Sequence, residues 1–540
     1  MPGDEEAGHG FLANGHNEKH YSSNASLLSG ETTQKTMAFL ADTFTPDFFR
    51  RTKPHRVGST AWLDGLRGWA AFGVCFMHLN VYSHSGMELC YNQEIPGDAF
   101  GRRNNSPLAL PILRLPFVGG HFSVMLFFVI SGYVVPRRLL QLLLEGKGRS
   151  PEVLESIQSA MVRRPVRLFV PVILSTLLLW NIWHIFGIYT SFPEKADTWL
   201  SELVKWVREI ILFLFFFRQG FLFTNYNAHT WTIPVEFRGS MLILVWLYVV
   251  HTVKTRNRLM LTTGIWAQFL LAGGAWYAAF FAGMIMSELE LMKSMTNLPS
   301  EPTDSDAIAR LWESWNELER RYKNLRWLGL HVLFVCALYL ASQPSNDFGT
   351  FADTLQNCPG WMTLSSLIPW SYTDGMEGFR WWWLFWAAVS ALYCIREIEW
   401  LRRLFEAPFS QCKYLCPQKT DMTLTNVTDL GRHSFALYLI HGPTLAIVSE
   451  RLFYLTGFKA PDSPEHAEHY GPYVNAWRDR AWWPFKGPNE AYYQGLEPNF
   501  WVCVIISIPI FLYVAEIGTR LFDGPSVKAS RWVWMKLKSM

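Results

Sequence analysis

The sequence lacks an excess of charge of either sign. Its formal net charge is +3 over 540 residues, too small to argue for a nucleic-acid partner. It also lacks a basic-then-apolar leader. Residues 1–45 are polar and rich in Gly, Ser, Asn and His, so no cleavable signal is read there. This tail is expected to be disordered and cytosolic, with the first membrane helix acting as the insertion signal. Cysteine is scarce, with eight in all. Cys75, Cys336, Cys394 and Cys503 lie in apolar segments and read as packing residues. Cys412 and Cys416 are close, but no second pair or His cluster completes a zinc pattern, so no metal is called for. Cys90 and Cys358 fall in loops assigned below to one side, and are read equally as a disulfide or as two separate thiols. No internal repeat is visible, which weakens a transporter built on inverted repeats.

What the chain does have is apolar residues in long runs. Half of its residues are hydrophobic, and the runs match the roughly 20 residues that cross a bilayer as a helix. Candidate spans are 62–82, 118–136, 167–187, 232–251, 259–272, 274–290, 327–343, 380–397, 433–455 and 500–522. Gly273-Gly274 divides 259–290, which reads better as two spans than one. Lys and Arg in short loops mark the cytosolic face. The basic clusters fall on one side only if the further apolar stretch 206–224 is re-entrant or interfacial. The expected fold is therefore an all-α integral membrane protein. It has about ten transmembrane helices, one re-entrant or interfacial helix and both termini cytosolic, in an endomembrane (ER or Golgi) or the plasma membrane. A membrane domain over 46–525 contains a cytosolic amphipathic insert at 291–326 and a lumenal loop at 456–499. A short basic tail, 526–540, follows.

Charged and imidazole groups inside apolar spans carry the chemical signal, because such groups face a protein interior or a wet cavity. Arg67 and His78 share the first span. Their spacing is about three helical turns, so both lie on one face about 16 Å apart, with Asp64 on the same face. An imidazole suits general-base work, whereas the bland reading pairs Arg67 with Asp64 and leaves His78 at the interface. Arg163, Arg164 and Arg167 open the third span, where guanidinium forks suit phosphate or merely serve topology. His229-Thr-Trp231-Thr-Ile-Pro-Val-Glu236-Phe-Arg238 opens the fifth element, its proline reading as a fixed, kinked start. Tyr438 and His441 precede Gly442-Pro443 in a later span and suggest a shaped site. Gly119-Gly120-His121 through Ser131-Gly132-Tyr133 reads mainly as close packing.

These motifs resemble, in order, those of the acyltransferase-3 family of multi-span membrane O-acyltransferases. The matching pieces begin with Leu63-Asp-Gly-Leu-Arg67-Gly and a His eleven residues on, then Phe127-Phe-Val-Ile-Ser131-Gly132-Tyr133. Arg163-Arg164-Pro-Val-Arg167-Leu, Trp231-Thr-Ile-Pro-Val-Glu236 and Phe435-Ala-Leu-Tyr438-Leu-Ile-His441-Gly-Pro443 follow. The family's Trp-Ser-Leu form is here Trp231-Thr-Ile-Pro, a departure that bears on the register of Glu236. The long loops and polar tail are closest in character to filamentous-fungal members. The resemblance implies a ten-helix core, an acyl-CoA donor (acetyl-CoA among the candidates) as co-substrate with no bound cofactor, and a hydroxyl-bearing acceptor. That acceptor is a small molecule such as a secondary-metabolite alcohol, or a carbohydrate. It implies catalytic roles for His78, Arg67 and Glu236. Asp64, Arg163, Arg164, Arg167, His441, Ser131, His229 and Tyr438 are expected to bind substrate. The rival readings are a permease and a non-catalytic scaffold.

Overall fold

A computed structural model describes residues 33–46, 60–82, 88–93, 103–188, 190, 195–218, 222–296, 314, 317, 318, 320–344, 358–373, 378–406, 427–456 and 498–540. Cys412, Cys416, most of the 291–326 insert and nearly all of the 456–499 loop lie outside these residues. Residues 1–53 form one unit and 54–540 another. Within the first, residues 33–44 are helical, which corrects the expectation of disorder throughout 1–45. That stretch has no Gly or Pro, and its end is closed by Thr45 Oγ1 donating to Ala41 O at 2.6 Å.

In the second unit every one of the ten apolar segments is helical. The main helices are α1 (Ala61–Val81), α2 (Gly120–Val134), α3 (Arg137–Leu144), α4 (Pro151–Phe186) and α5 (Trp199–Leu214). They continue as α6 (Thr232–Val250), α7 (Thr255–Leu271), α8 (Ala275–Thr296), α9 (Lys323–Ala341) and α10 (Gly378–Glu397). Last come α11 (Glu399–Glu406), α12 (Val427–Thr444), α13 (Glu450–Leu455), α14 (Pro498–Gly518) and α15 (Gly524–Ser539). Among the described residues the only β pairing is an isolated bridge between Thr224 and Asn227. Five helical stretches are long and apolar enough to cross a membrane: Gly120–Leu144, Pro151–Phe186, Ala228–Val250, Lys323–Ala341 and Pro498–Ser539. On α9, the large apolar residues Leu325, Trp327, Leu328, Val332 and Val335 are exposed, as expected of a surface solvated by lipid rather than water.

Helix α1 is buried around most of its circumference and packs against α12, α2 and α11; a helix apolar all round belongs inside. Its crossing with α12 is close. A Cβ on Gly431 would stand 2.1 Å from Asp64 O, so glycine is required there. Helix α2 continues the core through α8 and α10. The Gly273-Gly274 division is realised as the break between α7 and α8, with Gly273 at φ +84°, a conformation that favours glycine. A buried Arg258–Glu288 pair, Nε to Oε1 2.9 Å, joins these two helices.

One local expectation is extended and another corrected. The third segment, 167–187, is the last part of a 36-residue helix that begins well before the apolar run. Ser150 caps its start by accepting from Glu152 N at 3.2 Å. Pro165 and Pro171 are carried inside it, each removing one backbone donor without stopping the helix. Pro234 likewise falls in the first turn of α6, where the missing N–H has no helical partner to lose, so no kink is needed. The stretch 206–224 is helical only to Leu214. Cys90 and Cys358 form a disulfide with Cα atoms 5.7 Å apart, which decides between the two readings of these residues. Nearby, buried Asn104 donates to Leu89 O at 3.1 Å and so holds the loop.

Candidate active site

Three histidines from distant parts of the chain meet between α1, α12 and the 3₁₀ turn Ala228–Trp231 before α6. The ring centroids of His78 and His229 are 4.0 Å apart, His229 and His441 4.4 Å, and His78 and His441 4.9 Å. His441 Nδ1 lies 2.6 Å from Tyr438 O. His78 Nδ1 lies 2.9 Å from Val74 O and 3.2 Å from His441 Nε2. A carbonyl only accepts, so both Nδ1 atoms carry the proton in the neutral rings. His441 Nε2 then accepts from His78 Nδ1, and the lone pair of His78 is left on Nε2. The hydrogen-bond pattern therefore assigns a tautomer that presents a basic nitrogen.

The turn carrying His229 is clamped from both sides. Asn227 Nδ2 donates to Leu439 O at 2.7 Å, and its Oδ1 accepts from His229 N at 3.2 Å. Tyr438 Oη donates to His229 O at 2.9 Å and accepts from Thr232 Oγ1 at 2.9 Å. Gly442 makes room for the imidazole: a Cβ there would lie 2.5 Å from His229 Cδ2.

A cavity of about 100 Å³ lies on the Arg67 side of this cluster, with Arg67, Ser131, Thr232, Glu236, Ser434 and Tyr438 as its polar lining. Glu236 forms an ion pair with Arg164. Arg67 faces Asp64 at 3.8 Å, a long contact on an exposed carboxylate, and is within electrostatic reach of Arg167, Glu236 and Asp523. Of the expected site residues, Arg67 and Glu236 (expected as catalytic) and Ser131 and Tyr438 (expected to bind substrate) therefore share one cavity, and Arg164 joins it through Glu236. Arg163 does not line it and donates from Nε to Ser159 O at 3.1 Å. Exposed Asp64 does not line it either. His121 contacts Arg380, Nε2 to Nη1 2.6 Å.

The three imidazoles offer nitrogens within 4.8 Å of one another, a donor set suited to a zinc-type cation. The hydrogen bond between His78 and His441 already engages one nitrogen of each ring. Sequence reasoning flagged each histidine separately but missed Thr232, Ser434 and Asn227. Small polar residues at span ends have no distinguishing pattern.

Residues 60–515 match the profile of an acyltransferase domain, that of acyltransferase-3. The chain belongs to the acyltransferase-3 family. Its Arg67, His78, Arg164, Glu236 and His441 all lie inside the matched region. O-acetyltransferase PaAT-1 of Phomopsis amygdali is 28% identical over 443 residues, covering 75% of this chain and 76% of the relative. Acyltransferase clz18 of Cochliobolus lunatus is 22% identical over 428 residues, covering 72% and 83%. Acyltransferase R4 of a Phoma species is 22% identical over 430 residues, with the same coverage. No solved structure matches. The protein is thus an acyltransferase-family membrane protein with fungal acyltransferases among its relatives.

Proposed function

We propose that this acyltransferase moves an acyl group from acyl-CoA to the hydroxyl of a small molecule or carbohydrate, with His78 as general base. The observation that carries this reading is the fixed tautomer, with Nδ1 of His78 tied to Val74 O and His441 Nε2. In the step envisaged, the acceptor oxygen attacks the thioester carbonyl carbon as His78 Nε2 takes its proton. The carbon–sulfur bond breaks, and the thiolate leaves with that proton as free thiol. The products are an ester and CoA.

The donor's phosphates meet Arg164 or Arg167 at the cytosolic end, with Arg67 deeper along the path, and the thioester reaches the end of the cavity lined by Thr232 and Tyr438, beside the histidines. Glu236 acts through Arg164, its ion-pair partner, so its role is to place that guanidinium rather than to orient His78. The chain crosses the membrane about ten times with both termini cytosolic. The Cys90–Cys358 disulfide supports assigning loops 83–117 and 344–379 to the lumenal, oxidising side.

The direct test is free-thiol release from acetyl-CoA and longer acyl-CoAs by membranes containing the protein, with a panel of alcohols present. Acceptor-dependent release is expected. Movement of substrate across sealed vesicles without thioester loss would favour a carrier instead.

A further inference from the structure

His229 is fixed by its backbone and left unbonded at its ring. Its N–H donates to Asn227 Oδ1 at 3.2 Å, and its carbonyl accepts from Tyr438 Oη at 2.9 Å. The ring packs against Gly442 on one edge. Its centroid is 4.0 Å from that of His78 and 4.4 Å from that of His441. Yet neither ring nitrogen has a hydrogen-bond partner among the described residues. Nor is the ring sealed. It is partly exposed and borders a cavity of about 40 Å³, room enough for a single ligand oxygen. His121 makes the contrast: its Nδ1 also lacks a partner, but it is buried out of reach of any ligand.

The neighbouring donors are committed. Thr232 Oγ1 donates to Tyr438 Oη, which donates in turn to His229 O. Asn227 Nδ2 spends an amide hydrogen on Leu439 O. His441 gives its Nδ1 proton to Tyr438 O, and His78 shares its own between Val74 O and His441 Nε2. A neutral imidazole always carries one N–H. His229 is therefore the one imidazole of the three whose N–H has no acceptor among the described residues. It is also poorly placed to be a second base. Once His78 has taken a proton, a like charge on a ring 4.0 Å away is opposed by Coulomb repulsion.

We infer that His229 is a second catalytic residue, whose ring N–H donates to the thioester carbonyl oxygen and stabilises the negative charge that develops there. This rests on the acyl-transfer reading of His78. As the acceptor oxygen attacks the carbonyl carbon, the C=O pair moves onto the carbonyl oxygen and His78 Nε2 takes the proton. The oxyanion is met by His229. When the pair returns, the carbon–sulfur bond breaks, and His229 has neither gained nor lost a proton. Each ring offers a nitrogen within 4.8 Å of one on each of the others. Two oxygens borne by one carbon bridge such a gap with hydrogen bonds of about 2.7–3.1 Å. The clamps on the His229 backbone hold this donor in place before the charge appears, which is what makes such a group effective.

Three variants, compared at equal amounts of folded protein, separate a donor from a structural ring. His229→Ala is expected to lower kcat about 10²- to 10³-fold, the usual loss for one oxyanion donor. The acyl-CoA KM should stay within about threefold, because the interaction belongs to the transition state. His229→Asn and His229→Gln each keep an N–H near one of the two ring positions. The better of them should recover at least about tenfold of the loss and keep the rise of kcat with pH that reports His78. Equal rates in all three variants, or a wild-type rate in His229→Ala, overturns the proposal. Loss of that pH dependence in the better amide variant also overturns it, and would make His229 the base. Infrared difference spectra supply a readout that needs no turnover. Acetyl-CoA carrying carbon-13 at its carbonyl is bound to the His78→Ala protein without alcohol. The carbonyl band is expected below its frequency in free acetyl-CoA, and should move back when His229→Ala is added. A band indifferent to His229→Ala overturns the proposal even where thiol release is normal. If the wild type releases no thiol with any alcohol, the acyl-transfer reading fails separately, and the infrared band still decides whether His229 touches the thioester.

Discussion

The histidine that the first span placed in hydrocarbon owes its tautomer to a residue 363 positions away. His441 cannot hold the proton on Nε2 while Tyr438 O takes the one on Nδ1, and that forces His78 to be the donor between the two rings. On the proposed function His441 is a positioning residue. Replacing it with Ala should lower kcat about 10- to 100-fold, in line with loss of a partner that orients a functional imidazole, with little change in acyl-CoA KM. His441→Gln, which retains an acceptor, should restore part of the rate; equal losses in both variants would point to a structural role alone. Glu236 is the second residue with a defined partner. It and Arg164 are each less than one-fifth exposed, so breaking the pair leaves a mostly buried charge. Glu236→Gln should therefore cost about 1–3 kcal/mol of stability, discounted from the figure for fully buried pairs. A double-mutant cycle with Arg164→Met, read by thermal unfolding in detergent, should show non-additivity. Additive losses would mean that the two side chains act independently.

At the scale of elements, the site depends on how tightly helices and turns approach. Gly442 admits the His229 ring only because it has no Cβ. Gly442→Ala should push His229 away and cut activity at least tenfold, since small displacements of reacting groups are costly, while α12 stays folded by circular dichroism. Unchanged activity would show that His229 is dispensable. The individual signals were legible in the sequence: an imidazole or carboxylate inside an apolar run stands out at His78, Glu236 and His441 because its burial is expensive. Their meeting was not legible. Periodicity speaks only within one helix, and the three histidines come from α1, a 3₁₀ turn and α12. The sequence marked Arg163, Arg164 and Arg167 alike. Arg164 is the one that reaches Glu236, because in this structure α4 presents that side to α6.

For the whole molecule, hydrophobic run length sufficed to locate all ten segments that the structure makes helical, because backbone satisfaction in an apolar setting leaves the helix as the local solution. It did not show where helix α4 begins, since its first residues, Pro151 to Gln158, carry Glu152 and Glu155 and no apolar run. The disulfide ties residues 268 apart in sequence. Cys90→Ser or Cys358→Ser should lower stability by about 2–5 kcal/mol, and the double mutant should be no worse than either single. A reductant should reproduce the loss in the wild type and not in the double mutant; insensitivity of the wild type would mean the bond is not closed in the membrane.

On the proposed function, His78 removes the acceptor's proton. The measurement that reaches it most directly is single-turnover transfer of labelled acetyl from acetyl-CoA to an alcohol, comparing wild type with His78→Ala at equal amounts of folded protein. A fall of about 10²- to 10⁴-fold in the transfer rate is expected, the usual contribution of a general base, with acetyl-CoA binding retained. Transfer at the wild-type rate in His78→Ala would contradict it.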